Sequence, residues 1–402
     1  MEYIWEPSRS TPVTAECDIA IAGGGVAGIA AALSAARSGA KRVLLVEREF
    51  ALGGLATLGL VTIYLPLCDG CGRQVTFGIS EELLRLSIRH GCEGRYPDAW
   101  LGDAPTERRR TQRFEAQFNP SLFALLTERL LLDEGVEVLY GTSICGVSMG
   151  GNGIEALIAE NKSGRFAIRV GAVVDATGDA DVCALSGAPT AVYQRGNVLA
   201  AWYYRQKEHE VKLKMLGYAE APQGGVSVGG SAPLVPTRYT GIDGRELSRM
   251  AQDSHRQVLS DFLKEGELGP GHTLTSIAAI PQIRMSRKLV GAYTLGEEEV
   301  HTRFDDSIGI IGDWRKLGPM YELPVRTLYS AAVPNLIAAG RCISVTDAMW
   351  DITRVIPACA ATGEAAGTAA ALTNDFRRLD VLLLQRQLKS RHGRLHIDET
   401  DA

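Results

Sequence analysis

The sequence predicts an α/β fold in which a Rossmann-type nucleotide-binding domain, extended by a β-meander, is interrupted by an inserted α+β region and resumed near the C-terminus. Three observations predict it. Residues 17–47 read strand, glycine turn, helix, strand. Residues 142–178 hold three strand-like runs separated by turns. Beyond Pro334 an apolar strand and an alanine-rich helix bring the α/β character back. The expected division is residues 1–190 plus 326–402 for the nucleotide-binding domain and 191–325 for a substrate or cap region, and 402 residues suffice for two or three domains.

The first unit carries the most chemistry. "CDIAIA" (Cys17 to Ala22) alternates and is β-branched at Ile19 and Ile21, while "IAAALSAARSGA" (Ile29 to Ala40) is helix-prone. Between them Gly23, Gly25 and Gly28 fit G-x-G-x-x-G. The first glycine permits a sharp turn off the strand, the second a close approach of backbone to a pyrophosphate, and the third tight packing of helix on sheet. Val26 and Ala27 then open a helix whose free N–H groups and dipole favour phosphate. "KRVLLVE" supplies the second strand and ends at Glu47, 19 residues after Gly28, where a ribose-binding carboxylate is expected; Arg48 follows it.

Later elements follow from simpler signals. "EFALGGLATLGL" (Glu49 to Leu60) is a second glycine-rich stretch. Ser80 to Gly91 reads as a helix with a serine start and a glycine stop, and Asn119 to Gly135 as a longer one, followed by the strand "VEVLY". "TSICGVSM", "IEALIAE" and "RFAIRVGAVVDATG", divided by "GGNG" and "NKSG", form the meander. Residues 190–325 are more polar and mixed, and "GGVSVGG" (Gly224 to Gly230) lacks the nucleotide spacing. "NLIAAG" (Asn335 to Gly340) is a buried-type strand and "ACAATGEAAGTAAAL" (Ala358 to Leu372) a close-packing helix.

Composition narrows the function classes. Hydrophobic residues at 46 % and charged residues at 22 % are ordinary for a globular chain. A net charge of −5 gives no general reason to bind nucleic acid or anionic lipid. The cluster Arg108, Arg109, Arg110 and Arg113, flanked by Glu107 and Glu115, reads as a solvated loop. Residues 19–36 carry no charge, but the glycine turn splits them, so no membrane span is expected. The N-terminus lacks a secretory pattern and eight cysteines form no dense disulfide framework, so a cytoplasmic location is expected.

Three segments together resemble the glutathione-reductase-type FAD flavoproteins, and in particular a broad bacterial family of FAD-dependent oxidoreductases. They are residues 18–60 with "GGLAT" (Gly53 to Thr57), "VVDATGDADV" (Val173 to Val182), and "NLIAAGRCIS" with "RVIPACAATGEAAGTAAAL" (Arg354 to Leu372). The resemblance implies a glutathione-reductase-like FAD-binding fold with FAD as cofactor. It implies that Gly53, Gly54 and Thr57 approach the pyrophosphate and ribityl chain, and that Gly178 and Asp179 belong to the ATG motif. It further implies that Gly340 and Arg341 lie by the phosphates and that a helix opening near Thr362 and Gly363 aims its N-terminus at the flavin. "PQIRMSRKLVGAYTL", "RFDDSIGIIGDW" and "YELPVRTLY" are similar to family stretches and imply that Arg284, Arg287, Asp305 and Asp306 lie at the cap–flavin interface.

The remaining candidates are chemical. Cys68 and Cys71 form C-x-x-C, open to a redox pair, a single functional Cys68 facing the flavin, or plain packing. With His90 and Cys92 they offer a zinc ligand set, but H-x-C at a helix end is an unusual spacing and no metal is expected. No cysteine grouping suits an iron–sulfur cluster, so the electron acceptor is expected to be diffusible or another protein. His301 is a candidate general base, Trp350 a candidate flavin wall, and Arg287 with Arg284 or Arg354 a candidate fork for a substrate oxygen. The expected reaction is hydride transfer between a polar small molecule and flavin N5. The alternatives are thiol–disulfide exchange through Cys68 and Cys71, or an FAD-dependent protein acting on RNA.

Overall fold

The computed structural model describes residues 4–5, 8–151, 153–218, 233–264 and 269–400. The stretch Gly224 to Gly230 lies outside them. Strand β1 (Val13–Ala22) becomes buried from Ile19 onward, and its last residue leads into the glycine turn and helix α1 (Val26–Arg37). Every residue of α1 from Val26 to Ala35 is buried, which its small side chains permit. Strand β2 (Val43–Val46) returns parallel to β1, with Ile21 opposite Leu45. The short strand β3 (Ile63–Tyr64), helices α2 (Ile79–Ile88) and α3 (Thr106–Arg110), and strand β4 (Ala116–Gln117) follow. Helix α4 (Pro120–Asp133) starts where its sequence signals it: the Asn119 side chain accepts the Leu122 N–H at 2.9 Å and Pro120 sits in the first turn.

Strand β5 (Glu137–Leu139) joins β2, and β6 (Ser143–Gly150), β7 (Gly153–Asn161) and β8 (Gly164–Asp175) form the antiparallel meander. Because β8 is long, it also lies parallel to β1, from Ala167 opposite Val13 to Asp175 opposite Ala22. Helix α5 (Asp181–Leu185) and strand β9 (Thr190–Val192) lead out of this layer.

The middle region builds on strands β10 (Ala201–Lys207) and β11 (Glu210–Leu216), helix α6 (Gly244–Leu263) and strand β12 (His272–Ile277), the strands ordered β11-β10-β12. Helix α6 is capped by Asp243, which accepts the Glu246 N–H at 2.8 Å. It buries Met250 with Leu199, Tyr239 and Ile283, and Val258 with Ala201 and Tyr203, in two small cores of their own. Strand β13 (Arg287–Leu289) pairs with β9. The hairpin β14 (Ser307–Gly312) and β15 (Met320–Pro324) differs: Ile308, Ile311, Tyr321 and Leu323 share the main core with α1.

Strand β16 (Leu336–Ala338) then pairs parallel with Val173–Asp175 of β8, completing a seven-stranded mixed sheet ordered β5-β2-β1-β8-β7-β6 with β16 beside the end of β8. Helix α7 (Asp347–Thr353) meets α8 (Ile356–Leu372) at 89°, and α9 (Val381–Ser390) closes the chain's described part. Helix α8 presses on α1: a Cβ at Gly363 or Gly367 would fall on the carbonyl oxygens of Ala27 or Ala31. Among the described residues no single helix is long and apolar enough to cross a membrane. The fold is thus mixed α/β with a sheet of parallel and antiparallel strands.

Candidate active site

A cleft of about 300 Å³ runs along the C-terminal edge of the parallel strands, from the glycine turn to the start of α8. Gly23, Gly25, Val26 and Ala27 form one end. Gly23 adopts a φ of +100°, which an L-residue rarely does, and its N–H donates to the Val46 carbonyl at 2.8 Å, tying the turn to β2. Gly25 is the opposite case: nothing lies within 4 Å of where a Cβ would stand. A side chain there would occupy open cleft. Gly28 does not reach the cleft; a Cβ on it would overlap the Gly23 carbonyl. The α1 N-terminus has neither a side-chain cap nor an acid in its first turn, so its first amides keep free hydrogens beside the cleft.

Glu47 is buried and fixes the turn from the other side. Its Oε2 accepts the Gly24 N–H at 2.6 Å and its Oε1 the Glu49 N–H at 2.8 Å, while burial pushes its pKa above the ordinary carboxylate value. Glu47 and Arg48 both line the cleft, opposite Thr142, Ser143 and Ile144, which follow β5. Those three residues were not singled out in the sequence, although the pairing of β5 with β2 brings them next to Glu47.

Gly53 and Gly54 also line the cleft, and both have positive φ. Thr57 does not line it. Its hydroxyl donates to the Leu52 carbonyl at 2.5 Å, and a Cβ on Gly53 would strike it, so Thr57 shapes the loop from behind. Gly178 and Asp179 line the far wall with Gly340 and Arg341. Here each guanidinium nitrogen of Arg341 is committed: Nε to the Gly178 carbonyl at 2.6 Å, Nη1 to the Ile283 carbonyl at 2.7 Å and Nη2 to Asp179 at 2.7 Å.

The start of α8 corrects the sequence reading. The helix opens at Ile356, six residues before Thr362, because Pro357 occupies its first turn. Ile356 and Cys359 line the cleft; Thr362 and Gly363 do not. The Thr362 hydroxyl accepts the Gly340 N–H at 2.9 Å, and Gly363 lets α8 approach α1. Both are packing residues of the second turn.

An open glycine turn, an uncapped helix N-terminus, an acid at the end of β2 and a second uncapped helix at the other end fit a long dinucleotide with a charged centre. A family model described as FAD dependent oxidoreductase matches residues 18–201 and 198–388. The chain belongs to this family of FAD-dependent oxidoreductases. The FAD oxidoreductase is similar to several solved structures at low identity. One is a geranylgeranyl bacteriochlorophyll reductase-like protein from Thermoplasma acidophilum (14 % identity over 94 % of this chain and 82 % of that one, TM-score 0.45). Others are p-nitrophenol 4-monooxygenase from Pseudomonas putida (12 %, 94 % and 89 %, 0.47) and 3-ketosteroid-delta4-(5alpha)-dehydrogenase from Rhodococcus jostii (16 %, 90 % and 98 %, 0.42). No curated protein sequence matches the chain.

Several expected catalytic groups of the FAD oxidoreductase lie away from the cleft. Cys68 is buried, accepts the Phe114 N–H at 3.3 Å and backs onto Gly312, and burial raises its thiol pKa; Cys71 is exposed and both are free thiols. Neither cysteine lines the cleft. Cys92 donates to the Gly94 carbonyl at 2.8 Å, and no group of three or more His, Cys, Asp or Glu among the described residues converges on a metal-like site. His301 is exposed in a turn with φ +56° beside the hairpin, its ring near the Gly318 carbonyl at 3.2 Å and outside the cleft lining. Trp350 is fully buried, with its indole N–H donated to the Arg341 carbonyl and Lys288 over its ring, so it is core rather than flavin wall. The arginine cluster of α3 is partly woven in: Arg109 lies over Trp100 and Arg113 donates to the Trp314 carbonyl at 2.6 Å.

The arginines and acids of the middle region separate. Asp306 pairs with Arg326 at 2.9 Å and the Asp305 carbonyl accepts from Gln385, both on the hairpin side and outside the cleft lining. Arg287 donates to the Asp179 carbonyl at 2.9 Å and pairs with Asp181 at 2.6 Å, which makes it a clamp on the ATG turn. Asp181 itself lines the cleft, and burial, with Asp179 and Asp175 nearby, pushes its pKa up to about 6. Arg354 does line the cleft, held by Asp351, while Arg284 is buried and does not line it.

Proposed function

We propose that this enzyme exchanges a hydride between a polar small-molecule substrate and flavin N5, in a glutathione-reductase-like fold whose substrate region is residues 191–325. One observation carries the reading. Gly241, Leu247, Ile280, Pro281 and Ile283 of the middle region line the same cleft as the glycines of the nucleotide turn. A molecule admitted between them would rest against bound cofactor. The hairpin Ser307–Pro324, inside the proposed substrate region by sequence, shares the main core and serves as its foundation.

FAD supplies the two-electron chemistry when bound. The chain's own residues bind and orient. We assign FAD contacts to the amides of Val26 and Ala27, to Gly23, Gly25, Glu47, Arg48, Gly53, Gly54, Gly178 and Asp179, and to the Gly340 and Arg341 turn. Arg354, held against Asp351 through Nε at 3.0 Å, keeps Nη1 for a substrate oxygen. Cys359, the one cysteine among the lining residues, has its thiol pushed up to about 12 by burial, which disfavours a thiolate mechanism. The test is anaerobic flavin bleaching against a panel of hydroxy, amino and carboxylic acids and their neutral counterparts. Bleaching by one of them supports hydride transfer from substrate carbon. Bleaching by dithiols alone, with its loss in Cys68→Ser, would refute it.

A further inference from the structure

Arg284 is a buried cation with no hydrogen-bonded anion among the described residues; the carboxylate that acts on it, Asp351, is bonded to Arg315 and Arg354. Its side chain belongs to a residue only 6 % exposed, and its guanidinium makes no hydrogen bond among the described residues; Nη1 is fully buried and unpartnered. Among the described residues it rests on the face of Trp202, 5.3 Å from the ring centroid. Burial and the neighbouring charges of Arg354 and Arg341 pull its pKa down to about 9. A buried, unpaired charge is several kcal/mol more costly than a paired one.

The surrounding charges do not balance. Asp179 is taken by Arg341, Asp313 by Arg315, and Asp351 by both Arg315 and Arg354. Among the described residues, these four guanidiniums, counting Arg284, therefore share three carboxylates. Arg341 gives one hydrogen bond from each nitrogen to a protein acceptor, which fixes its plane and leaves only the second hydrogens of Nη1 and Nη2. Arg354 binds Asp351 through Nε and Nη2 and leaves Nη1, and it is the member that lines the cleft. Among the described residues, the nitrogens of this group without a protein acceptor are those of Arg284 and Nη1 of Arg354; Arg354 lines the cleft, and Arg284 follows the lining residues Pro281 and Ile283 in the chain without lining it itself.

We infer that Arg284 and Arg354 form an anion subsite that recognises a carboxylate group of the substrate, with Trp202 as the face beneath the buried guanidinium. The inference rests on the proposed function and narrows its polar substrate to an organic acid. A carboxylate has the geometry for two arginine forks and supplies the missing negative charge.

The test uses the FAD-loaded enzyme and two probe pairs, acetate with acetamide and benzoate with benzamide, titrated while the visible flavin band is recorded. Carboxylates are expected to perturb the band saturably and the amides not. Arg284→Gln and Arg354→Gln should each weaken carboxylate binding about 10- to 100-fold, the range for one charge-assisted contact, with FAD content unchanged. Arg284→Lys should recover part of the loss. Equal responses to acid and amide, or unchanged carboxylate affinity in flavin-replete Arg284→Gln, would overturn the subsite. So would a shift in flavin midpoint potential with carboxylate affinity intact, since the charge would then serve the cofactor. If Arg284→Gln fails to retain FAD, the wild-type acid–amide comparison and Arg354→Gln still decide. Carboxylate binding that depends on Arg284, without bleaching by any organic acid, would keep the subsite and sink hydride transfer.

Discussion

Replacing Gly25 with alanine separates cofactor binding from folding. Gly25 has φ −67° and ψ 178°, an extended conformation that alanine adopts without strain, and no atom lies within 4 Å of the added methyl. Two small terms act on the protein alone. Alanine is a poorer N-cap than glycine by about 0.5–1 kcal/mol, and it stabilises by about 0.4–1 kcal/mol through a less flexible unfolded chain. They nearly cancel, so apo-protein melting should shift by no more than a few degrees. The methyl instead projects into the cleft beside the α1 amides, where the proposed FAD contacts put the pyrophosphate. Pushing a phosphate out of reach of one amide forfeits a charge-assisted bond of about 1.5–3 kcal/mol, which is about 10- to 150-fold in Kd. Apo-protein of both forms, titrated with FAD and followed by flavin fluorescence quenching, gives the ratio. An unchanged Kd in Gly25→Ala would refute the assignment of this turn to the pyrophosphate, whatever the melting temperature does.

Gly363→Ala should behave oppositely: its methyl would overlap the Ala27 carbonyl, so melting stability should fall by about 3 kcal/mol or more and FAD retention should fall with it; normal stability would mean that α1 and α8 do not pack as described. Glu364, buried in α8 with Oε2 accepting the Ile79 N–H and Oε1 without a partner among the described residues, has its pKa raised from 4.5 to about 7 by burial. A carboxyl with a raised folded pKa favours folding in its protonated form, so it should stabilise least above pH 7, and Glu364→Gln should gain about 2–3 kcal/mol relative to wild type between pH 4.5 and pH 8 in denaturant melts. A pH-independent difference would contradict the burial of an ionisable group there. Cys68→Ser and Cys71→Ser should each retain turnover within about twofold, because neither thiol lines the cleft, though the buried Cys68 site should lose about 1–2 kcal/mol of stability; parallel loss of turnover in both would restore the redox pair.

Local chemistry was readable from the chain and long-range pairing was not. Gly23, Gly25 and Gly28 announced a turn because their spacing sits between a strand pattern and a helix pattern, and the cleft forms around the first two. Asn119 and Pro120 likewise fixed the start of α4. The partner of Arg287 could not be read that way. Asp181 lies 106 positions away, and only the folded ATG turn turns that arginine from a substrate fork into a clamp. Thr362 resembled a helix start, yet its role is to accept the Gly340 N–H 22 positions back. Trp350 carried an indole that could have faced a ring, but the 89° bend between α7 and α8 drives it into the core. The surplus charge of Arg284 became visible only when the neighbouring carboxylates among the described residues had found arginines of their own or shared ones.

The split pairing of β8 governs the order in which the molecule can be made. Its last three residues, Val173 to Asp175, take their outer partner from Leu336–Ala338, and α1 receives its cover from α8, more than 300 positions downstream. A ribosome that has released the first half of the chain has therefore delivered a glycine turn with a bare helix beside it and an open apolar strand edge. Such contacts of large sequence separation form slowly and leave surfaces that invite aggregation while they wait. The cofactor cleft is thus a late event of biosynthesis, and a C-terminal truncation that removes α8 would abolish it although the whole glycine turn is still present.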